Sequence, residues 1–172
     1  MSELTILRDV VTIVGVIVGF TYYVINVRNA QRIQQLQLET RQYQLYNAIA
    51  QNSQNKANQL AYFDVMYKQV WADFEEFWQK YGPHTNPDAY ANFILVGEIY
   101  NVIGILVEKG AVDPALFYRH NGPIVLRLWE KIEPLVKGTR NRENRLSSFW
   151  IAFENLYQNY LTLEQRESTS TS

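Results

Sequence analysis

The sequence predicts an all-α protein: an N-terminal transmembrane helix, a helical stalk, and an irregular helical bundle of three long and one or two short helices. Three observations carry this prediction. Residues 10–27 read VVTIVGVIVGFTYYVINV, eighteen residues without a formal charge, bounded by Asp9 and Arg28. Farther along, apolar residues recur at three- and four-residue spacing, the period of a helix face. No alternating run with Gly or Asn hairpin turns occurs anywhere in the chain.

A short segment, residues 1–9, precedes the expected span at 10–27. Eighteen residues at about 1.5 Å each give about 27 Å, close to the hydrocarbon thickness of a bilayer, and Leu4, Ile6 and Leu7 extend the apolar surface toward the interface. Eleven of the eighteen are Val, Ile or Phe. Together they favour insertion by at most about 3 to 7 kcal/mol. Glu3 and Asp9 lie beside Arg8, and no small-x-small cleavage pattern follows, so a signal peptide is not the expected reading. Arg8 is the only Lys or Arg before the span, whereas Arg28, Arg32 and Arg41 follow it. The positive-inside bias then places the C-terminal part in the cytoplasm, with the inner membrane as the expected location. Within the span Gly15 and Gly19 form a GxxxG pair, where missing side chains let two helices approach closely. Both are candidates for helix association, and a homo-oligomer is expected.

Residues 28–59 are rich in Gln and Asn, and neither Gly nor Pro occurs between Gly19 and Gly82. With both helix breakers missing, one helix can leave the membrane and continue as a stalk. Ile33, Leu36 and Tyr43 share one seam and Leu38, Leu45 and Ile49 another, but Thr40 and Asn47 interrupt the first as a coiled-coil core. A bend is expected within residues 51–59, QNSQNKANQ, because Asn and Ser compete for backbone hydrogen bonds.

The bundle is expected over residues 60–165, where nineteen of the 24 aromatics and all four Trp fall. Leu60, Phe63, Tyr67, Val70, Phe74, Phe77 and Tyr81 predict one core-facing helix ended by Gly82-Pro83. Asn86-Pro87 opens a second helix that runs to Lys109 with Gly110 behind it. Asp113-Pro114 opens a short helix ending near Asn121, and Gly122-Pro123 opens another that stops before Gly138. Leu146, Phe149, Trp150, Phe153, Tyr157, Tyr160 and Leu161 mark a long closing helix, and residues 166–172 are expected to be a disordered tail.

Composition narrows the chemistry. Sixteen Lys+Arg against seventeen Asp+Glu give a formal charge of −1, so nucleic acid is not an expected partner. Absence of cysteine excludes disulfides, zinc ribbons and thiol nucleophiles. His84 and His120 stand in turn-like contexts and read as surface or capping residues. No G-x-S-x-G, P-loop, GxGxxG or HExxH pattern is present, so no catalytic, metal or cofactor residue is assigned and no cofactor is expected. Glu98 lies in the apolar stretch FILVGEIYNVIGILV with Asn101 three residues on, and Glu154 sits in SFWIAFENLYQNYL. If they face inward these carboxylates need donors, and Glu98, Asn101, Arg127 and Glu154 are the candidates for a buried polar network. Gly97, Asn101 and Gly104 make a smooth stripe suited to close packing against a helix of the same domain. Lys137, Arg140, Arg142 and Arg145 form a basic loop after the expected end of the preceding helix.

The stretch from Tyr100 through Val107 (YNVIGILV), then Gly110, Asp113, Leu128-Trp129 and Phe153-Glu154, resembles an uncharacterised family of small prokaryotic single-pass membrane proteins with a helical cytoplasmic domain of unknown function. The resemblance covers residues 60–161 and the anchor. It implies the same architecture and no activity. The expected function is that of a membrane-anchored interaction or assembly module with a protein partner of unknown identity. The rival is an enzyme or ligand sensor built on the carboxylates of Glu98 and Glu154.

Overall fold

Helix α1 (Glu3–Ser53) runs unbroken through the apolar segment and the expected stalk, as the lack of Gly and Pro after Gly19 permits. It opens a computed structural model that describes residues 3–142 and 146–170, in which helices joined by short turns make up the described chain, with no strand among the described residues. Then come α2 (Lys56–Phe63), a π-helical turn (Asp64–Lys68), α3 (Phe74–Tyr81), α4 (Pro87–Glu108), α5 (Pro114–Arg142) and α6 (Ile151–Ser170). The chain divides into two units, Met1–Tyr43 and Gln44–Ser172.

In the first unit, every apolar residue from Ile13 to Phe20 is exposed. The Thr21 hydroxyl donates to the Ile17 carbonyl at 2.8 Å, so its polar group is met within the helix. Ile33, Leu36 and Tyr43 are exposed as well.

The second unit starts earlier than the expected boundary at residue 60. Leu45 and Ile49, one helical turn apart, pack with Tyr46 against the bundle core, where the Tyr46 ring lies 5.0 Å from Phe117. The chain turns at Gln54–Asn55, inside the expected bend. There Asn55 Oδ1 accepts the Ala57 N–H at 2.9 Å and caps α2, while Asn58 Nδ2 donates back to the Asn52 carbonyl at 2.6 Å.

The single helix expected from Leu60 to Tyr81 is broken. After α2 the π turn closes with Gln69 N–H on the Asp64 carbonyl at 2.9 Å, and the backbone then extends to Asp73. Asp73 starts α3 afresh: its carboxylate accepts the Glu76 N–H at 2.8 Å, and the Glu76 carboxylate accepts the Ala72 N–H, a reciprocal cap. The extra residue in each π turn rotates the helix face. Ala61, Val65 and Gln69 are buried, whereas Leu60, Phe63, Tyr67 and Val70, expected in the core, are exposed. Polar groups stitch the turn in place. Asp64 accepts from Gln69 Nε2 (2.8 Å) and Asn92 Nδ2 (2.9 Å), and Lys131 Nζ donates to the carbonyls of Met66 (2.7 Å) and Gln69 (3.0 Å) while sitting over the Trp71 ring.

Helix α4 has the predicted ends. Asn86 Oδ1 accepts the Ala89 N–H at 3.1 Å, and at the other end Gly110 takes φ +64° while Gly110 N–H bonds Val107 and Ala111 N–H bonds Leu106. Helix α5 starts at the predicted Asp113-Pro114 but does not break at Gly122-Pro123 or stop before Gly138. Gly122 lacks the Cβ that would clash with the following proline ring in helical geometry, and its bare face receives the Tyr118 ring. Gly138 is likewise a contact surface, on which the Phe74 ring lies. Residues 146–150 form turns instead of the first turn of the closing helix, and α6 starts at Ile151. Trp150 ends these turns with φ +52°, a left-handed conformation uncommon for a bulky side chain. Residues 166–170 continue α6 instead of forming a disordered tail, and 171–172 lie outside the described residues.

The core is dominated by α4, α5 and α6, with Phe93, Phe117, Trp129, Phe153 and Tyr160 among its largest fully buried side chains. Trp129 and Phe153 meet at 4.9 Å nearly edge to face, joining α5 to α6.

Candidate functional site

The glycine stripe of α4 is filled from within the same unit. A Cβ on Gly97 would overlap the Trp150 ring, and one on Gly104 would overlap the Ala152 carbonyl. The indole is held from several sides: it stacks on Phe149 at 4.3 Å, meets Phe93 at 5.0 Å, and donates from Nε1 to Glu98 at 3.0 Å. Gly97 and Gly104 are thus a socket for the segment leading into α6.

The four network candidates do not come together. Glu98 is exposed at the edge of that socket and accepts from the Trp150 indole. Arg127 is exposed and donates from Nε to the Pro123 carbonyl one turn back at 3.2 Å. Glu154 pairs with Arg140 at 2.6 Å, both side chains less than a third exposed, and Arg140 Nε also donates to the Phe149 carbonyl at 2.8 Å. Asn101 Oδ1 is buried with no hydrogen-bond partner among the described residues. The apolar neighbours of Glu98 in sequence suggested burial, but its helical position points it to the outer edge, between exposed Leu95 and Val102.

The basic cluster is not a loop. Lys137, Arg140 and Arg142 lie in the last turns of α5, which continues because Gly138 serves packing. Lys137 pairs with Glu133 at 2.8 Å, and Arg142 lies over the Trp78 ring with Glu75 at 3.5 Å. Arg145 lies outside the described residues. In α1 a Cβ on Gly15 or Gly19 would meet nothing within 4 Å.

Sequence reasoning missed a pocket of about 310 Å³ formed by the end of α1 with α2, α4 and α5, all within the second unit. Phe63, Val96, Ile99 and Ile124 supply its apolar walls. Tyr62, Tyr100, His120 and Asn121 bring polar groups to it, with Asn58 and Gln54 toward the α1–α2 turn. Among the described residues, no Asp, Glu, Lys or Arg lines it. Tyr100 is 7% and Asn121 6% exposed. Burial raises the Tyr100 hydroxyl above the ordinary tyrosine range, and the nearby Tyr62 phenol adds to this; burial raises Tyr62 too. Both phenols are therefore neutral donors at physiological pH. His120 was read as a turn residue; it lies within α5 and lines this pocket, its ring set edge-on to Tyr46. Among the described residues, no three His, Asp or Glu side chains converge as a metal site.

Residues 10–160 match the family model described as a domain of unknown function, DUF4760. The chain belongs to the DUF4760 family. No curated protein and no solved structure matches it. The DUF4760 match takes in the apolar run of α1 together with the bundle through Tyr160. The resemblance to an uncharacterised family thus holds, and the match adds the segment between the apolar run and the bundle to the regions it covered.

Proposed function

We propose that this DUF4760 protein is a single-pass inner-membrane protein that holds its helical bundle on the cytoplasmic side as an interaction or assembly module, and that it self-associates through the Gly15/Gly19 face of α1. The observation that carries this reading is the exposed apolar run of α1, long and apolar enough to cross a bilayer. Tyr22 and Tyr23 near its end, followed by Arg28 and Arg32, suit a membrane–water interface. Helix α4 passes the same test of length and hydropathy, but it carries Glu98 and packs on α6, as a core helix does. The carboxylate rival loses its support, since Glu98 and Glu154 are separately engaged and neither lines the pocket.

Alkaline carbonate extraction of membranes tests the anchor. The protein is expected in the pellet, and full release would overturn the reading. A C-terminal reporter is expected to be active in the cytoplasm, whereas periplasmic activity would reverse the orientation.

A further inference from the structure

We propose that the pocket between α2, α4 and α5 is a binding site for a small, uncharged, largely apolar molecule that carries a hydrogen-bonding group. Three features of the pocket select this ligand class. Its volume of about 310 Å³ falls at the lower end of small-molecule sites, which fits a single-ring or fused two-ring compound. Its lining holds no Lys or Arg, so a phosphate or carboxylate would lose most of its hydration with only the His120 imidazole and neutral hydroxyl and amide groups to replace it. Tyr100 and Asn121, each more than nine-tenths buried, bring a phenol hydroxyl and an amide to its lining beside the His120 imidazole. A hydroxyl and an amide at an otherwise apolar wall can bond a guest that carries a donor or an acceptor. The rings of Tyr62, Phe63 and Tyr100 offer faces and edges to a planar molecule.

The two histidines provide the readout. His120 lines the pocket, whereas His84 lies in the turn between α3 and α4 and serves as an internal control. Full-length protein in detergent micelles, with ring-¹³C-labelled histidine, is titrated with indole and separately with indole-3-acetate at neutral pH. Indole is expected to shift the His120 signal saturably and leave His84 in place, with the carboxylate analogue at least tenfold weaker. Ile124→Trp, which fills the pocket, should abolish the shift, with Ile124→Phe as the replacement if the larger ring prevents folding. Tyr100→Phe should weaken indole several-fold. Absence of a saturable His120 shift, parallel linear shifts of both histidines, or equal binding of indole-3-acetate would overturn the proposal. So would indole binding that survives in a folded, pocket-filled variant.

Discussion

Two pairs of glycines in this molecule present the same bare helical surface and meet opposite surroundings. In α4, Gly97 and Gly104 are covered by Trp150 and Ala152 of the same unit; in α1, Gly15 and Gly19 are covered by nothing. The α4 pair sits in a core where apolar burial selects the closest fit between helices. The α1 pair sits in a run with no polar face and no packing partner in its own unit, a surface suited to a bilayer and a second helix. A stripe of small residues thus acquires its meaning from what occupies it.

The largest effect is expected where the socket is filled. Gly104→Val drives a side chain into the Ala152 backbone, which cannot rotate away, and should lower stability by about 3 kcal/mol in thermal melts of the full-length protein. The same substitution at Gly15 should leave the melt of the bundle unchanged. Equal effects at both positions would remove the distinction.

Alkaline pH probes the filled region through its tyrosines. Burial raises Tyr100 and Tyr160, so the folded protein keeps protons that the unfolded chain releases from about pH 10 upward. Their contribution is complete below that pH and is lost progressively as pH climbs from there toward the raised folded-state values. Lys131, lowered by burial, acts in the opposite sense, but it is one modestly shifted group against two strongly shifted ones. The midpoint of thermal unfolding should fall steadily as pH rises above about 10, and Tyr160→Phe should shallow that fall. A flat profile would mean that these hydroxyls are not buried.

The two glutamates beside the socket should separate by burial. Glu154→Ala leaves Arg140 without its partner in a site where Arg140 Nη2 already has none among the described residues, at a cost of about 2 kcal/mol. Glu98→Ala removes only the acceptor of the Trp150 indole at an exposed edge and should cost about 1 kcal/mol, with Glu98→Gln costing less because the amide oxygen still accepts. Thermal melts of the three variants give the order; a larger loss at Glu98 would contradict the placement of Trp150.

What could be read from the sequence was what local chemistry decides. Asn86-Pro87, Gly110 and Asp113-Pro114 mark real helix ends because capping involves only neighbours in the chain. Gly122 and Gly138 carry the same residue type but act through Tyr118 and Phe74, and Phe74 is more than sixty residues away from Gly138. The reciprocal cap of Asp73 and Glu76 was not read from the sequence. The apolar period that suggested one helix runs through a π turn, where the face rotates and puts Phe63 and Tyr67 outside. The pocket was not legible, since the turn after α1, the middle of α4 and the centre of α5 build it only once the bundle has formed.

The most direct test of the central claim is the pattern of cross-links along α1. The chain has no cysteine, so Tyr22→Cys, on the same face as Gly15 and Gly19, and Ile17→Cys, on the opposite face, can be introduced singly into the full-length protein in membranes. Oxidation should give a disulfide-linked dimer with Tyr22→Cys and little with Ile17→Cys. Adding Gly19→Ile should abolish the dimer while the bundle melts as before. Equal cross-linking from both faces, or a dimer that survives Gly19→Ile, would contradict self-association through the open glycine pair.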